Sequence, residues 1–431
     1  MPPPPSSASR DEPVIRDRGD ACPGALRLHP ADDGHLARVR LPGGLLGPRQ
    51  AELLADAADR FGDGQAEITS RGNLQLRGLA ATCGTGLAHL LTEAGLLPAP
   101  AHERVRNIVA TPLADTPTVP DWVRSLDRLL CTRERATALS GRFLFACDDG
   151  RGDVAALAPD LTLLARPDGR ALLRLGASDA AVELSADEAP RAAVLAAEYF
   201  LDTAERAGTG AWRVAELPTG HALDEGEFAA RATRDGIPAA VRTAVPWPYA
   251  PPPRPGITGR APKAALCVLP PLGRLTSDQL RALARAARAA AGELRVTPWR
   301  QVVLPGPADP AGTAADLAAA GLVPDPDSAW EGVTACSGRP GCAKSLADVR
   351  ADATAVVARA RGPLPVHWSG CARRCGHPRG RDWVDLVATP TGYLLSRPAA
   401  PAPTGDGPTA PVPVPPAPDA LAAALAAART P

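Results

Sequence analysis

The segments LARVRLPGGLLGPRQAELLADAADRFGDGQAEITSRGNLQLRGL (residues 36–79) and AALCVLPPLGRLTSDQLRALARAARAAAGELRVTPWRQVVLPG (residues 264–306) read as two copies of one unit. Each opens on a short apolar strand, 36–41 or 264–269, and then a proline turn. An amphipathic helix follows, marked by Leu53, Leu54, Ala57 and Phe61 in the first copy and by Leu280, Leu283, Ala284 and Ala287 in the second, at the spacing of a single helix face. Ser277 is placed to cap the second helix. A further strand leads through Thr69 or Thr297 into a turn and a third strand, 74–79 or 301–304. Each copy closes with a helix ending at a Gly-Leu step, Gly95-Leu96 and Gly321-Leu322. A βαββα unit that occurs twice, half a chain apart, is a duplication and not a solenoid. It predicts a pseudo-two-fold α+β molecule with its functional site between the copies.

A longer α/β segment follows each copy. After the first, Asp121 is placed to cap a helix carrying Trp122, Val123, Leu126 and Leu129. Strands are expected at 143–147, 161–165 and 171–175, and an apolar helix over 190–206 stops at Gly208. After the second come a helix over 345–361 and strands at 364–368, 383–387 and 392–396. The chain divides accordingly into a disordered tail (1–20), a first half-domain (21–100), an α/β domain (101–245), a Pro-rich linker (246–262), a second half-domain (263–325), a cysteine-bearing α/β domain (326–397) and a Pro/Ala-rich tail (398–431). A short frayed helix is expected at 419–429.

Bulk properties exclude more than they select. With 47 basic and 47 acidic residues among 431, net charge favours neither nucleic acid nor a membrane surface as partner. The first residues are rich in Pro and Ser with no apolar signal region, and no stretch is long and uncharged enough to span a bilayer, so the cytosol is the expected location. In that setting nine cysteines are not a disulfide framework. Cys22, Cys83, Cys131, Cys147 and Cys267 are scattered and read as small buried apolar residues.

The other four are grouped. Cys336 and Cys342 form C-x5-C, and Cys371 and Cys375 form C-x3-C after an intervening 28 residues. Four thiolates are the ligand set of a 4Fe-4S cluster, one per iron, with glycines alongside so that backbone N–H groups can approach the sulfurs. Arg339, Arg373 and Arg374 would offset the negative charge. Zinc is the competing occupant, but it favours C-x2–4-C in both pairs and only the second conforms. Arginines complete the constellation: Arg71 in a turn, Arg77 at a strand end, Arg106-Asn107 beyond the first copy, and Arg142 entering an apolar strand. Guanidinium groups beside a cluster point to a polyanionic ligand, because they pair bidentately with carboxylates.

The T-S-R-G-N-L-Q-L-R-G segment, the R-N step, the cysteine spacing and the duplicated unit together resemble the nitrite/sulfite reductase family over nearly all of residues 21–397. The resemblance implies duplicated ferredoxin-like halves and two α/β domains of that family's type, a 4Fe-4S cluster on Cys336, Cys342, Cys371 and Cys375, and tetrapyrrole or anion binding by Arg71, Arg77, Arg106, Asn107 and Arg142. The reductases place a second cation two residues after the one matched by Arg142. Here that position is Leu144, a departure that weakens a sulfite or nitrite reading. The RGNLQLRG wording and the HWSGCARRCGHP ending are most similar to a branch of oxygen-dependent monooxygenases converting precorrin-3A to precorrin-3B in aerobic cobalamin biosynthesis. That branch implies precorrin-3A and dioxygen as substrates, and a mononuclear non-haem iron beside the cluster. Its ligands are not assigned; His367 and His377 are the nearest imidazoles, and His377 reads equally as a turn residue. Sirohaem belongs to the alternative, an assimilatory sulfite or nitrite reductase. No G-x-G-x-x-G follows a strand, so electrons are expected from outside, through ferredoxin or an NAD(P)H-dependent reductase.

Overall fold

The computed structural model describes residues 20, 22–260, 263–378, 382–397 and 410–430. The expected N-terminal tail lies, except for Asp20, outside the described residues.

The two copies are interlocked. The first sheet runs His29–Ala31, Gly34–Val39, Leu74–Leu79, Gln65–Ile68 and finally Arg274–Thr276, a strand from the second copy. The second sheet runs Gly256–Thr258, Ala265–Val268, Val302–Pro305, Leu294–Val296 and finally Leu45–Leu46, a strand from the first. Each copy thus covers an edge of the other's sheet, which removes an exposed edge from both. Helices Pro48–Phe61 and Ser277–Arg288 pack together over a single apolar core that takes Leu54, Leu76, Leu283 and Leu304 from both halves. The cap of the second helix is Thr276 and not Ser277. Its hydroxyl accepts from the Gln279 N–H, and the Gln279 side chain accepts from the Thr276 N–H.

Each half is followed by a sheet with three parallel strands that then turns antiparallel. One contains Ile108–Ala110, Phe145–Asp148, Leu161–Ala165, Arg170–Leu175, Ala181–Ser185 and Ala240–Arg242, covered by helices Thr118–Thr132 and Ala189–Ala207. Asp121 lies within the first turn of the helix it was expected to cap, which begins at Thr118. The other contains Val333–Ala335, Val366–Ser369, Val384–Thr389, Gly392–Ser396 and Val412–Val414. The helix expected over 345–361 is shorter, Val349–Val356, because Asp348 caps it through the Ala351 N–H. The C-terminal helix Pro418–Ala428 is not frayed: Leu421 and Leu425 are 1% exposed, and Arg429 donates to the Leu364, Ala360 and Glu331 carbonyls. Low aromatic content and an Ala-rich pattern had concealed a docked element.

Asp153, 2% exposed, accepts from Thr111 Oγ1 and the Val154 N–H. Burial, partly offset by the Thr111 hydrogen bond and reinforced by Asp148, pushes its carboxyl up to about 6. The folded state therefore holds this proton more tightly than the unfolded one. Stability is fully present below the ordinary carboxyl value of 3.8 and declines as pH rises to about 6. In Asp153→Asn, Oδ1 still accepts both hydrogen bonds and the charge is gone. Denaturant titrations across that window should show a shallower decline for the variant, with a gain of about 2–3 kcal/mol near neutrality.

Candidate functional site

Between the two copies and the cysteine-bearing sheet lies a cleft of about 1120 Å³. That exceeds the about 300–1,000 Å³ of ordinary small-molecule pockets. Its wall carries ten Arg or Lys side chains against three carboxylates, and all four clustered cysteines. The second cysteine pair sits on the segment leaving strand Val366–Ser369, and Cys336 follows its parallel neighbour Val333–Ala335, so adjacent strands deliver both pairs to one sheet end. The Gly370 N–H donates to Cys336 Sγ at 3.2 Å. Residue 370 must be glycine, since a Cβ there would lie 1.9 Å from Ser345 Oγ. Burial first, and then the thiols of Cys336, Cys371 and Cys342, push the Cys375 thiol up, which places the four sulfurs in one another's field.

By contrast, Cys147 and Cys267 are buried and do not line the cleft, and burial pushes both thiols up. Among the described residues, no three His, Cys, Asp or Glu side chains converge tightly enough to hold one metal ion. Cys336, Cys342, Cys371 and Cys375 all line the one cleft.

The expected arginines divide. Arg71 lines the cleft, its Nη1 and Nη2 donating to the Gly141 and Arg142 carbonyls at 2.9 and 2.8 Å. Arg142 lines it with its guanidinium 5.0 Å above the Trp212 ring. Arg77 reaches the wall but is bound bidentately to Asp33 and donates to the Gly341 carbonyl at 2.7 Å, so it anchors the Cys342 loop. Arg106 and Asn107, expected on the ligand, are not in the cleft. Arg106 is 3% exposed, gripping Asp127 through two 2.7 Å hydrogen bonds and the Leu96 carbonyl through a third. Asn107 donates to the Arg104 and Gly141 carbonyls and so supports the Arg142 loop. Asp20 braces the same loop, accepting from Ser140 Oγ, the Gly141 N–H and Arg104.

Neither imidazole offers itself to iron. His367 is fully buried; its Nε2–H donates to the Cys375 carbonyl at 3.1 Å, and Nδ1 lies 2.8 Å from Thr334 Oγ1. Burial and then Arg300 push it well below its ordinary value, so it is a neutral strut. His377 donates from Nδ1 to the Pro378 carbonyl and stacks on Trp383. That is the turn reading. The described residues therefore do not assemble a mononuclear iron site.

Three cationic residues escaped the sequence reading. Arg38 and Arg40 alternate with core-facing Ala37 and Val39 on strand Gly34–Val39 and its continuation, so both point to the cleft. Arg40 is 3% exposed, and its Nε and Nη2 have no hydrogen-bond partner among the described residues. Burial, and then Arg38 and Arg71, push it down to about 9. Arg38 gives one hydrogen bond to Gln75 Oε1 and leaves Nε unpartnered. Two arginines with the strand period in an otherwise apolar strand were the available signal. The third, Arg300, holds φ +63° and donates to the Ala335 and Gly376 carbonyls, bridging both cysteine pairs.

Residues 29–82 and 257–311 match the Nitrite/Sulfite reductase ferredoxin-like half domain. Over 405 residues the chain is 29% identical to a precorrin-3B synthase of Sinorhizobium sp, covering 88% of this chain and 82% of that one. Over 390 residues it is 27% identical to a ferredoxin–nitrite reductase of Synechococcus elongatus, covering 80% and 75%. Its fold is similar to that of the Mycobacterium tuberculosis NirA protein, with a TM-score of 0.68 at 20% identity over 84% of this chain and 74% of that chain.

Proposed function

We propose that the chain, whose residues 29–82 and 257–311 match the Nitrite/Sulfite reductase ferredoxin-like half domain, is an oxygenase of that superfamily, converting precorrin-3A to precorrin-3B. Cys336, Cys342, Cys371 and Cys375 would hold a 4Fe-4S cluster, which when bound supplies electrons one at a time. The cleft is sized for a macrocycle rimmed with carboxylates. Arg38 and Arg40 hold those carboxylates with N–H groups that otherwise go unpaired, and Arg71 and Arg142 fix the macrocycle's orientation from the facing loop. No step is placed on a mononuclear iron, because His367 and His377 are already committed. In the overall reaction one atom of dioxygen enters the substrate and the other leaves as water. Two electrons and two protons are consumed, and a ring-A acetate closes as a γ-lactone. An external donor, ferredoxin or an NAD(P)H-dependent reductase, supplies the electrons.

The observation carrying this reading over a reductase is position 144. Leu144 is 3% exposed and packs with Val109, Ala146, Val154, Leu157 and Trp299, so the place where the reductases present a second cation is apolar. A sirohaem-dependent nitrite or sulfite reductase is the second reading, favoured by the similarity to the nitrite reductase. Anaerobically purified protein given precorrin-3A, reductant and ¹⁸O₂ should yield a product heavier by one labelled oxygen. Strong Soret absorbance from bound sirohaem, with nitrite or sulfite reduced and no labelled product, would overturn the proposal.

A further inference from the structure

The duplication places a counterpart of the arginine site in the second copy, and there the cations have been exchanged. The turns Thr69–Asn73 and Thr297–Gln301 close with the same Thr N–H to carbonyl hydrogen bond, 2.8 Å in each. Arg38 stands opposite Gln75 as Cys267 stands opposite Val303, and Val39 opposite Leu74 as Val268 opposite Val302. By that register Cys267 occupies the place of Arg38, Leu269 that of Arg40, and Trp299 that of Arg71. Three guanidinium groups have become a thiol, an isobutyl group and an indole. The space beside them is a pocket of about 90 Å³. Leu144, Leu157, Leu269, Trp299 and Val333 supply its apolar walls.

The pocket adjoins the large cleft, since Ser70, Arg71, Arg300 and Gly376 line both. Its polar lining is spoken for by the protein. Arg300 is bound to two carbonyls, Gln301 accepts from the Cys267 thiol, Thr334 meets His367, and Arg71 and Glu331 are likewise engaged. Apolar side chains supply slightly more than half of the wall, and the charged groups in it, Arg71, Arg300 and Glu331, are each engaged by the protein itself.

We propose that this pocket holds dioxygen and delivers it to the cleft past Arg71 and Arg300. The identity of the gas rests on the oxygenase reading above. The volume is far too small for a tetrapyrrole, and a small neutral molecule without hydrogen-bonding needs gains from apolar walls that water does not. The second half of the duplication has in this view been converted from an anion site to a gas site, and Leu144 completes its wall from the first α/β domain.

Crystals pressurised with xenon should show a xenon atom against Leu144, Leu157, Leu269 and Trp299, and none among the arginines of the cleft. Leu157→Phe should displace the xenon and raise the KM for dioxygen about 10-fold while the KM for precorrin-3A stays within about twofold. Leu157→Ala, which enlarges the space, should raise xenon occupancy. Oxygen incorporation by the wild type with no xenon at this position overturns the pocket alone. So does an unchanged dioxygen KM in a folded Leu157→Phe protein. Xenon bound but no labelled oxygen incorporated overturns the oxygenase reading, and dioxygen as occupant with it.

Discussion

Replacing Arg40 by methionine is expected to raise the melting temperature of the ligand-free protein while weakening its hold on a carboxylate-rimmed tetrapyrrole about 10- to 100-fold. Both effects follow from one geometry. The guanidinium is 3% exposed, its Nε and Nη2 have no hydrogen-bond partner among the described residues, and Arg38 and Arg71 repel it. Replacing buried charged groups by apolar side chains of similar volume is often neutral or stabilising, by up to about 1–4 kcal/mol for a buried ion pair. The same N–H groups gain charge-assisted hydrogen bonds worth about 1.5–3 kcal/mol when a carboxylate arrives, and methionine forfeits them. Thermal melts with and without tetrapyrrole separate the two effects. A variant that loses stability in the ligand-free state would show that Arg40 serves the fold. Arg106→Met is the contrast, because that side chain grips Asp127 and should lose stability without a specific effect on ligand.

That contrast also marks how far the sequence could be read. The duplication was legible because each copy repeats its apolar spacing, and the four cysteines because thiols grouped in a long chain have few other uses. Arg106 and Arg40 could not be sorted by residue type. Both are arginines in apolar surroundings, and only tertiary placement shows that Asp127, twenty-one residues on, grips one while the other keeps Nε and Nη2 without a hydrogen-bond partner among the described residues. The interlocking strands Leu45–Leu46 and Arg274–Thr276 are two and three residues long. They pair only across the copies, so no local pattern announces them. The pocket beside Trp299 was hidden for a related reason: Leu269 and Trp299 look like ordinary core residues until the register of the second copy sets them against Arg40 and Arg71.

Serine at any one of Cys336, Cys342, Cys371 or Cys375 is expected to abolish cluster incorporation, with loss of acid-labile sulfide, of iron and of broad visible absorbance. Cys267→Ser should leave all three unchanged. The four thiols sit on two loops that the chain itself ties together. Arg300 spans them by donating to the Ala335 carbonyl, one residue before Cys336, and to the Gly376 carbonyl, one residue after Cys375. Its φ of +63° lies where a side chain is strained, and its counterpart in the first copy is Gly72 at +68°. A residue kept in that conformation when glycine serves in the sister turn is there for its side chain. Gly376 has the complementary constraint, because a Cβ would stand 2.5 Å from Arg300 Nη2. Arg300→Gly should accordingly relieve the backbone and free two buried carbonyls. The cluster in that variant is expected to assemble but to bleach about 10-fold faster under chelator than in the wild type, a difference of about 1.4 kcal/mol in activation free energy. Sulfide retention equal to wild type in a folded Arg300→Gly protein would show that the two cysteine loops hold their spacing unaided.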